Sequence, residues 1–211
     1  MELISVQVGT VQTHQHNDSD WITGYVKKPI QGLVHVGKLH IEGDEQQHTK
    51  FHGGEHRVVL MYAADHYAMW QSELDRVLPY GSFAENFTVT GLNEESVCIG
   101  DIYQIGESLQ VQVAQPRQPC NQIYKALGIR GIVKKVQASY RSGWYCRVLH
   151  VGDVAAGMSI TRLERLHPEW TIAQAHDVMT HRADQPENAH KLAEIEALEP
   201  SWRKKLARTP L

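Results

Sequence analysis

The sequence has no hydrophobic run approaching the roughly 18 residues that a membrane-spanning helix needs. Cysteine is scarce: three among 211 residues, at positions 98, 120 and 146, with no C-x-x-C pair. So odd and scattered a set argues against a disulfide framework, a zinc ribbon or an iron–sulfur cluster held by this chain alone. An excess of positive charge is missing as well, since 21 Lys and Arg stand against 24 Asp and Glu, a formal −3. Neither nucleic acid nor an anionic membrane is therefore expected as a partner. The opening Met1-Glu-Leu-Ile-Ser-Val6 lacks the basic start and apolar core of a signal peptide, and the expected setting is a reducing cytoplasm. What is present, 42% hydrophobic and 21% charged residues, suits one globular domain or one domain with a small appendage. A core of that size folds without staples.

Alternation of apolar and polar residues marks strands. Ile4, Val6 and Val8 alternate with Ser5 and Gln7, and Leu109, Val111 and Val113 alternate with glutamines. Further strands are expected at 21–26, 58–62, 87–90, 101–105, 143–150 and 158–163, with turns at Gly100-Asp101, Gly152-Asp153 and His16–Asp20, the last of which would join the first strand and the run beginning at Trp21 as a hairpin. Tyr67, Trp70 and Leu74 recur at helical spacing within 64–76, which Pro79-Tyr-Gly81 follows, and a second helix is expected at 129–138. Many short strands with one or two helices between them predict a β-rich (α+β) fold built on a barrel, over residues 1–163. Beyond residue 165 the strand pattern ends. Thr171-x-x-Gln174 is a capping box, Pro186 suits a first helical position, and Ser201 after Pro200 precedes Trp202 and Leu206. Residues 164–211 are thus read as three short helices, which must pack on each other or on the barrel to persist in water.

The chemistry centres on Gln115-Pro-Arg-Gln-Pro-Cys120, which follows a predicted strand. Two prolines stiffen it and deliver the Cys120 thiol three residues beyond Arg117. A guanidinium suits a neighbouring thiolate, which is both a nucleophile and a soft-metal ligand. The simpler reading is a small buried hydrophobe in a turn. His52-Gly-Gly54 followed by Arg57 can form an anion site, with inward N–H groups and a planar cation, or an ordinary turn into a strand. His48, His52 and His56 fall four apart, as zinc ligands on a helix do. Gly53 and Gly54 lie inside that span, and each disfavours a helix by about 1 kcal/mol. Glu85-Asn86 can orient a ligand or cap a turn. Trp144 and Tyr145 are expected to pack, with Arg147 on the same side as Tyr145.

Taken together, His52-Gly-Gly-x-x-Arg57, Gly81-x-Phe-x-Glu-Asn86, Val97-Cys-Ile-Gly-Asp101, Gln115-Pro-Arg-x-Pro-Cys120 and Gly143-Trp-Tyr-x-Arg147 resemble, in order and approximate spacing, the MOSC domain. The chain resembles in particular the YiiM-type group, in which a three-helix segment follows the MOSC β-barrel. The resemblance implies a pterin-based molybdenum cofactor, with Cys120 as protein ligand to the metal. It also implies that His52, Gly53, Gly54, Arg57, Glu85, Asn86 and Arg117 line the cofactor pocket. One position departs from the family: Ala84 stands where the family usually has glycine. The activity implied is reduction of N-hydroxylated compounds such as hydroxylaminopurines, with Cys120 and His52 in the catalytic roles and His52 as proton donor. No flavin fingerprint or cysteine cluster occurs, so an external electron-donating reductase is expected. Two alternatives remain open: a carrier of the cofactor, or of sulfur on Cys120, without reductase activity, and a zinc-binding scaffold.

Overall fold

The structure, a computed structural model, describes residues 1–47 and 53–210. The chain opens with strand Glu2–Val8 (β1), a hairpin of Gln12–His16 (β2) and Ser19–Thr23 (β3), and the short strands Lys28–Pro29 (β4) and Val34–Val36 (β5). A 3₁₀ turn at Glu55–Arg57 leads to Val59–Ala63 (β6), helix Asp65–Leu74 (α1) and Phe87–Thr90 (β7). Strands Ile102–Ile105 (β8) and Leu109–Pro116 (β9) follow, then helices Gln122–Leu127 (α2) and Ile132–Ser139 (α3). Trp144–His150 (β10), Gly152–Val154 (β11) and Met158–Glu164 (β12) precede the C-terminal helices Ile172–Thr180 (α4), Pro186–Ala193 (α5) and Pro200–Leu206 (α6).

Seven strands close a barrel in the order β12-β8-β9-β10-β6-β7-β1, and β1 returns to β12 with Glu2 opposite Ser159 and Leu3 opposite Met158. Closure satisfies both edges of the sheet, which an open sheet would leave to solvent. Every pairing in the ring is antiparallel except β6 with β7, whose parallel run requires the crossover that α1 supplies. Along β9 the alternation read in the sequence is realised: Leu109, Val111 and Val113 are fully buried while Gln110 and Gln112 are half-buried. Trp144, Cys146 and Val148 of β10 also join this core, so Tyr145 and Arg147 lie on the barrel's outer face.

That outer face is where the helices gather. Tyr62, Trp70, Phe83, Ile123 and Val136 form a second apolar cluster that binds α1, α2 and α3 to the barrel wall. Tyr62 stacks on Phe83 with ring centroids 4.7 Å apart, and the Trp70 indole N–H donates to the Tyr62 hydroxyl at 2.7 Å. The C-terminal helices have no core of their own: Ile172, Ala175, Leu192 and Trp202 merge with the barrel core. The capping box forms as read, Thr171 accepting from the Gln174 N–H at 3.1 Å and Gln174 from the Thr171 N–H at 2.9 Å.

Several local expectations need correction. Gly152-Asp153 is not a turn: it belongs to β11, which pairs with β5, because long-range pairing outweighs local turn chemistry. The first strand does not pair with the run beginning at Trp21. Instead β2 and β3 form their own hairpin across Asn17 and Asp18, both at positive φ, as a tight two-residue hairpin turn requires. The short helix α2 has no side-chain cap at its start and was not expected from the sequence, although Gly128, at φ 67°, closes its C-terminus by donating its N–H to the Tyr124 carbonyl, and the helix expected at 129–138 starts at Ile132, after Gly131 at φ 80°.

Candidate functional site

β9 runs on through Pro116, which lies opposite Trp144 of β10. The next residue, Arg117, donates its backbone N–H to the Gly143 carbonyl at 3.0 Å, so its side chain leaves the strand from a fixed point. Gly143 has φ 79°, and a Cβ there would lie 2.4 Å from the Met61 carbonyl oxygen, which leaves room for glycine alone. Its own N–H donates to Glu94 at 2.7 Å. The Arg117 side chain is 3% exposed. Its Nη2 donates to the Tyr25 hydroxyl at 3.1 Å, while buried Nη1 has no hydrogen-bond partner.

Arg117 lines a cleft of about 710 Å³, open solvent at its mouth included, together with Tyr25, Lys27, Arg57, Cys120 and Tyr145. Cys120 is half-buried there, whereas Cys98 and Cys146 are buried in packed surroundings. Burial pushes the Cys146 thiol well above its ordinary range. Cys120 lies close enough to Tyr25, Arg117 and Tyr145 to act on each electrostatically. Burial raises the Tyr25 and Tyr145 phenols against the opposing pull of Arg117, which keeps both neutral donors. For Arg117 burial works against the charge, yet Tyr25, Tyr145 and Cys120 outweigh it and the guanidinium stays protonated.

Lys27 forms a buried ion pair with Asp44. Burial lowers the Lys27 ammonium and Asp44 offsets this only in part. Asp44 also accepts from Asn86 Nδ2 at 3.1 Å, and Asn86 Oδ1 accepts from the Leu60 N–H at 3.1 Å, so Asn86 ties the cleft floor to β6. Arg57, at the end of the 3₁₀ turn, reaches Glu199 of the C-terminal segment, Nη2 to Oε1 3.5 Å.

Of the residues singled out in the sequence, Arg57, Asn86, Arg117 and Cys120 meet at one cleft. Glu85 does not line it. Fully buried one residue away, its carboxylate accepts from the Tyr67 hydroxyl, the Gly81 N–H at 2.8 Å, the Phe83 N–H at 3.2 Å and the Thr88 hydroxyl at 2.9 Å. Glu85 is a loop-building residue. Gly54, at φ 97°, opens the 3₁₀ turn that presents Arg57, and Gly53 precedes it outside the cleft lining. His52 and His48 lie outside the described residues. His56 sits in the 3₁₀ turn, 3.4 Å from Glu55, and among the described residues no group of three or more His, Cys, Asp or Glu could hold a metal ion. Ala84 adopts φ 59° and lines the cleft. Tyr25, Lys27 and Asp44 were not singled out in the sequence, and Tyr145 was assigned to packing. The available signal was Lys27 directly after the extended run of residues 21–26, where a lysine is costly to bury without a carboxylate.

The chain matches the MOSC domain over residues 48–161 and the YiiM-like 3-alpha helix domain over residues 170–208. It is 36% identical over 201 residues to the protein YflK of Bacillus subtilis (strain 168), covering 95% of this chain and 90% of that one. A protein of Gibberella moniliformis (strain M3125 / FGSC 7600) named "Reductase" is 33% identical over 159 residues, 74% of this chain but only 28% of that protein. The crystal structure of YiiM from Geobacillus stearothermophilus superposes with a TM-score of 0.82 at 30% identity, covering 97% of this chain and 96% of the other.

Proposed function

Since the chain belongs to the MOSC domain family and carries the YiiM-like three-helix domain, we propose that it binds the molybdenum cofactor in the Arg117–Cys120 cleft and reduces N-hydroxylated compounds there. The observation that carries this reading is Arg117 Nη1, a charged donor buried without a partner at the wall of a cleft that also holds the one half-buried cysteine of the three. Buried donors are left unpaired at a cost, and a ligand oxygen removes that cost. The residues fit the group. Arg117 and Arg57 would hold its phosphate, Cys120 would supply a soft ligand to the metal, and Lys27 would add a further cation. Bound there, the cofactor supplies two-electron reduction of an N–O bond, the oxygen leaving as water with uptake of two protons. The neutral phenols of Tyr25 and Tyr145 orient bound ligand by donating hydrogen bonds, and Ala84 with Leu60 shields one side from water.

Electrons come, on this reading, from a separate reductase. This reading draws on the relative named "Reductase" in Gibberella moniliformis, of which the stretch matched here makes up 28%. The test is molybdenum and pterin content of protein expressed in cofactor-competent cells, beside Cys120→Ala and Arg117→Met, followed by assay with an artificial electron donor and an N-hydroxylated purine. Stoichiometric molybdenum in wild type, its loss in both variants, and amine formation are expected. Bound molybdenum without turnover would make the protein a carrier, and zinc in place of molybdenum would overturn the reading.

A further inference from the structure

Arg117 is held at the cleft by a buried pair of side chains that does not line it. The bond from the Arg117 N–H to the Gly143 carbonyl, 3.0 Å, extends the β9–β10 ladder one residue past Pro116 and Trp144. Where Gly143 lies therefore decides where the Arg117 side chain begins. Gly143 sits at φ 79°, and its N–H donates to Glu94 Oε1 at 2.7 Å. The other carboxylate oxygen, Oε2, pairs with Nε2 of His66 on α1 at 2.5 Å, and both side chains are buried. The Glu94 carbonyl accepts from the Ala173 N–H of α4 at 2.9 Å, so the first turn of the three-helix segment rests on the same residue. Two residues before Gly143 the loop is fastened separately. The Arg141 carbonyl accepts from the Tyr62 hydroxyl at 3.2 Å, and the Arg141 guanidinium lies 3.8 Å over the Trp70 ring. The loop thus has an anchor of its own, and Glu94 supplies the bond that fixes its last residue.

We propose that Glu94 is a positioning residue for the cleft: by holding Gly143 it fixes the backbone from which Arg117 presents Nη1 to an anionic ligand. The inference rests on the cleft being the anion-binding site, and goes beyond it by extending the binding machinery to a carboxylate outside the cleft. The physical reason lies in the glycine. With no side chain to pack, Gly143 has more backbone freedom than any other residue type would have there, and a bond to its N–H restricts that freedom. A buried N–H that loses its acceptor is costly, so the peptide turns toward another one and carries the Gly143 carbonyl, and with it Arg117, off its line. A carboxylate serves better than a hydroxyl because its bond to an N–H is charge-assisted, and because His66 keeps its second oxygen from swinging away.

Inorganic phosphate is the probe, titrated calorimetrically into the full chain without cofactor. Glu94→Leu removes the acceptor and should weaken phosphate about tenfold, the worth of one charge-assisted hydrogen bond made from the wrong place. Glu94→Gln presents the same oxygen to the Gly143 N–H and an amide to His66, and should bind phosphate within about twofold of wild type. Both variants lose the charged pair with His66. A role in stability alone would lower the urea midpoint of both and leave phosphate affinity level, whereas a role through charge would move phosphate equally in both. Should Glu94→Leu not fold, Glu94→Asp takes its place. It keeps the charge but is one methylene too short to reach Gly143 and His66 together, and should weaken phosphate where Glu94→Gln does not. Equal affinity in Glu94→Gln and the variant set beside it, whether unchanged or weakened, would overturn the inference while leaving the cleft reading in place. A wild-type chain that takes up no phosphate would overturn both.

Discussion

Glu85 and Arg117 are both buried charged residues within motifs that the family resemblance assigns to one pocket, yet the structure treats them oppositely. Glu85 is surrounded by four donors from its own loop, helix and strand, and every one is a protein group. Arg117 donates Nη2 to Tyr25 and leaves Nη1 unpartnered at the cleft. A buried charge with all its partners supplied by the fold is architecture, whereas one left short of partners at a cleft is, on the function proposed above, a binding group. Substitution separates the two most widely. Glu85→Ala strands the Tyr67, Gly81, Phe83 and Thr88 donors together, and should cost about 3 kcal/mol or more in urea denaturation. Arg117→Met removes an unsatisfied donor and one hydrogen bond, so stability should change by less than about 1 kcal/mol while phosphate binding disappears. Equal losses of stability in the two variants would erase the distinction.

His176 sharpens the comparison, because it is buried and unpartnered at Nδ1 but lies outside the cleft. It sits on α4 against Tyr140, ring centroids 5.0 Å apart, under the field of Glu94 and Asp177. Burial pulls the imidazole down to about 4, since those carboxylates only partly offset the loss of water. The unfolded chain, with an ordinary histidine near 6.5, then takes up the proton first as pH falls. Stability from this group is complete above about pH 6.5 and is lost progressively toward pH 4, by roughly 3 kcal/mol in all. Glu85, whose carboxyl is raised by burial, gives a slope of the opposite sign over the same acidic range. The informative quantity is therefore the difference between wild type and His176→Phe, measured by urea midpoints at several pH values. If the two curves run parallel from pH 7 to 4, His176 is not the group that titrates.

Periodicity carried most of the barrel, and local chemistry carried its boundaries. The alternation in 109–113, the capping box at 171–174 and the prolines at 186 and 200 all became the elements they signal. What escaped was set by distant partners. Gly152–Val154 is a strand only because Val34–Val36 lies alongside it, and Gln122–Leu127 is helical through burial of Ile123 and Leu127, with Gly128 closing its C-terminus but no side chain capping its start. The cleft divides in the same way. Arg117 and Cys120 are three residues apart and could be read as a pair, whereas Tyr25, Lys27 and Tyr145 come from other parts of the chain. Nothing in their own neighbourhoods says that closure of the barrel brings them together.

Ala84 offers the smallest effect and the finest test of how the satisfied loop meets the unsatisfied cleft. The residue stands between Phe83 and Glu85 at φ 59°, its N–H donating to the Gly81 carbonyl at 2.9 Å, with its methyl on the cleft wall. The left-handed region costs an L-residue roughly 1–2 kcal/mol, and glycine, which avoids that cost, returns roughly 0.5–1 kcal/mol of it through the freedom of its unfolded chain. Ala84→Gly should therefore raise the urea midpoint by a net gain of about 0.5–1 kcal/mol, with an unchanged m value. Ala84→Val should lower it by more than that, because a branched Cβ tolerates positive φ worst of all. Phosphate affinity should stay level in Ala84→Gly, since a methyl offers no hydrogen bond to lose. A falling midpoint in the glycine variant would mean that the Glu85 network holds the turn without strain, and that the methyl contributes packing which glycine forfeits.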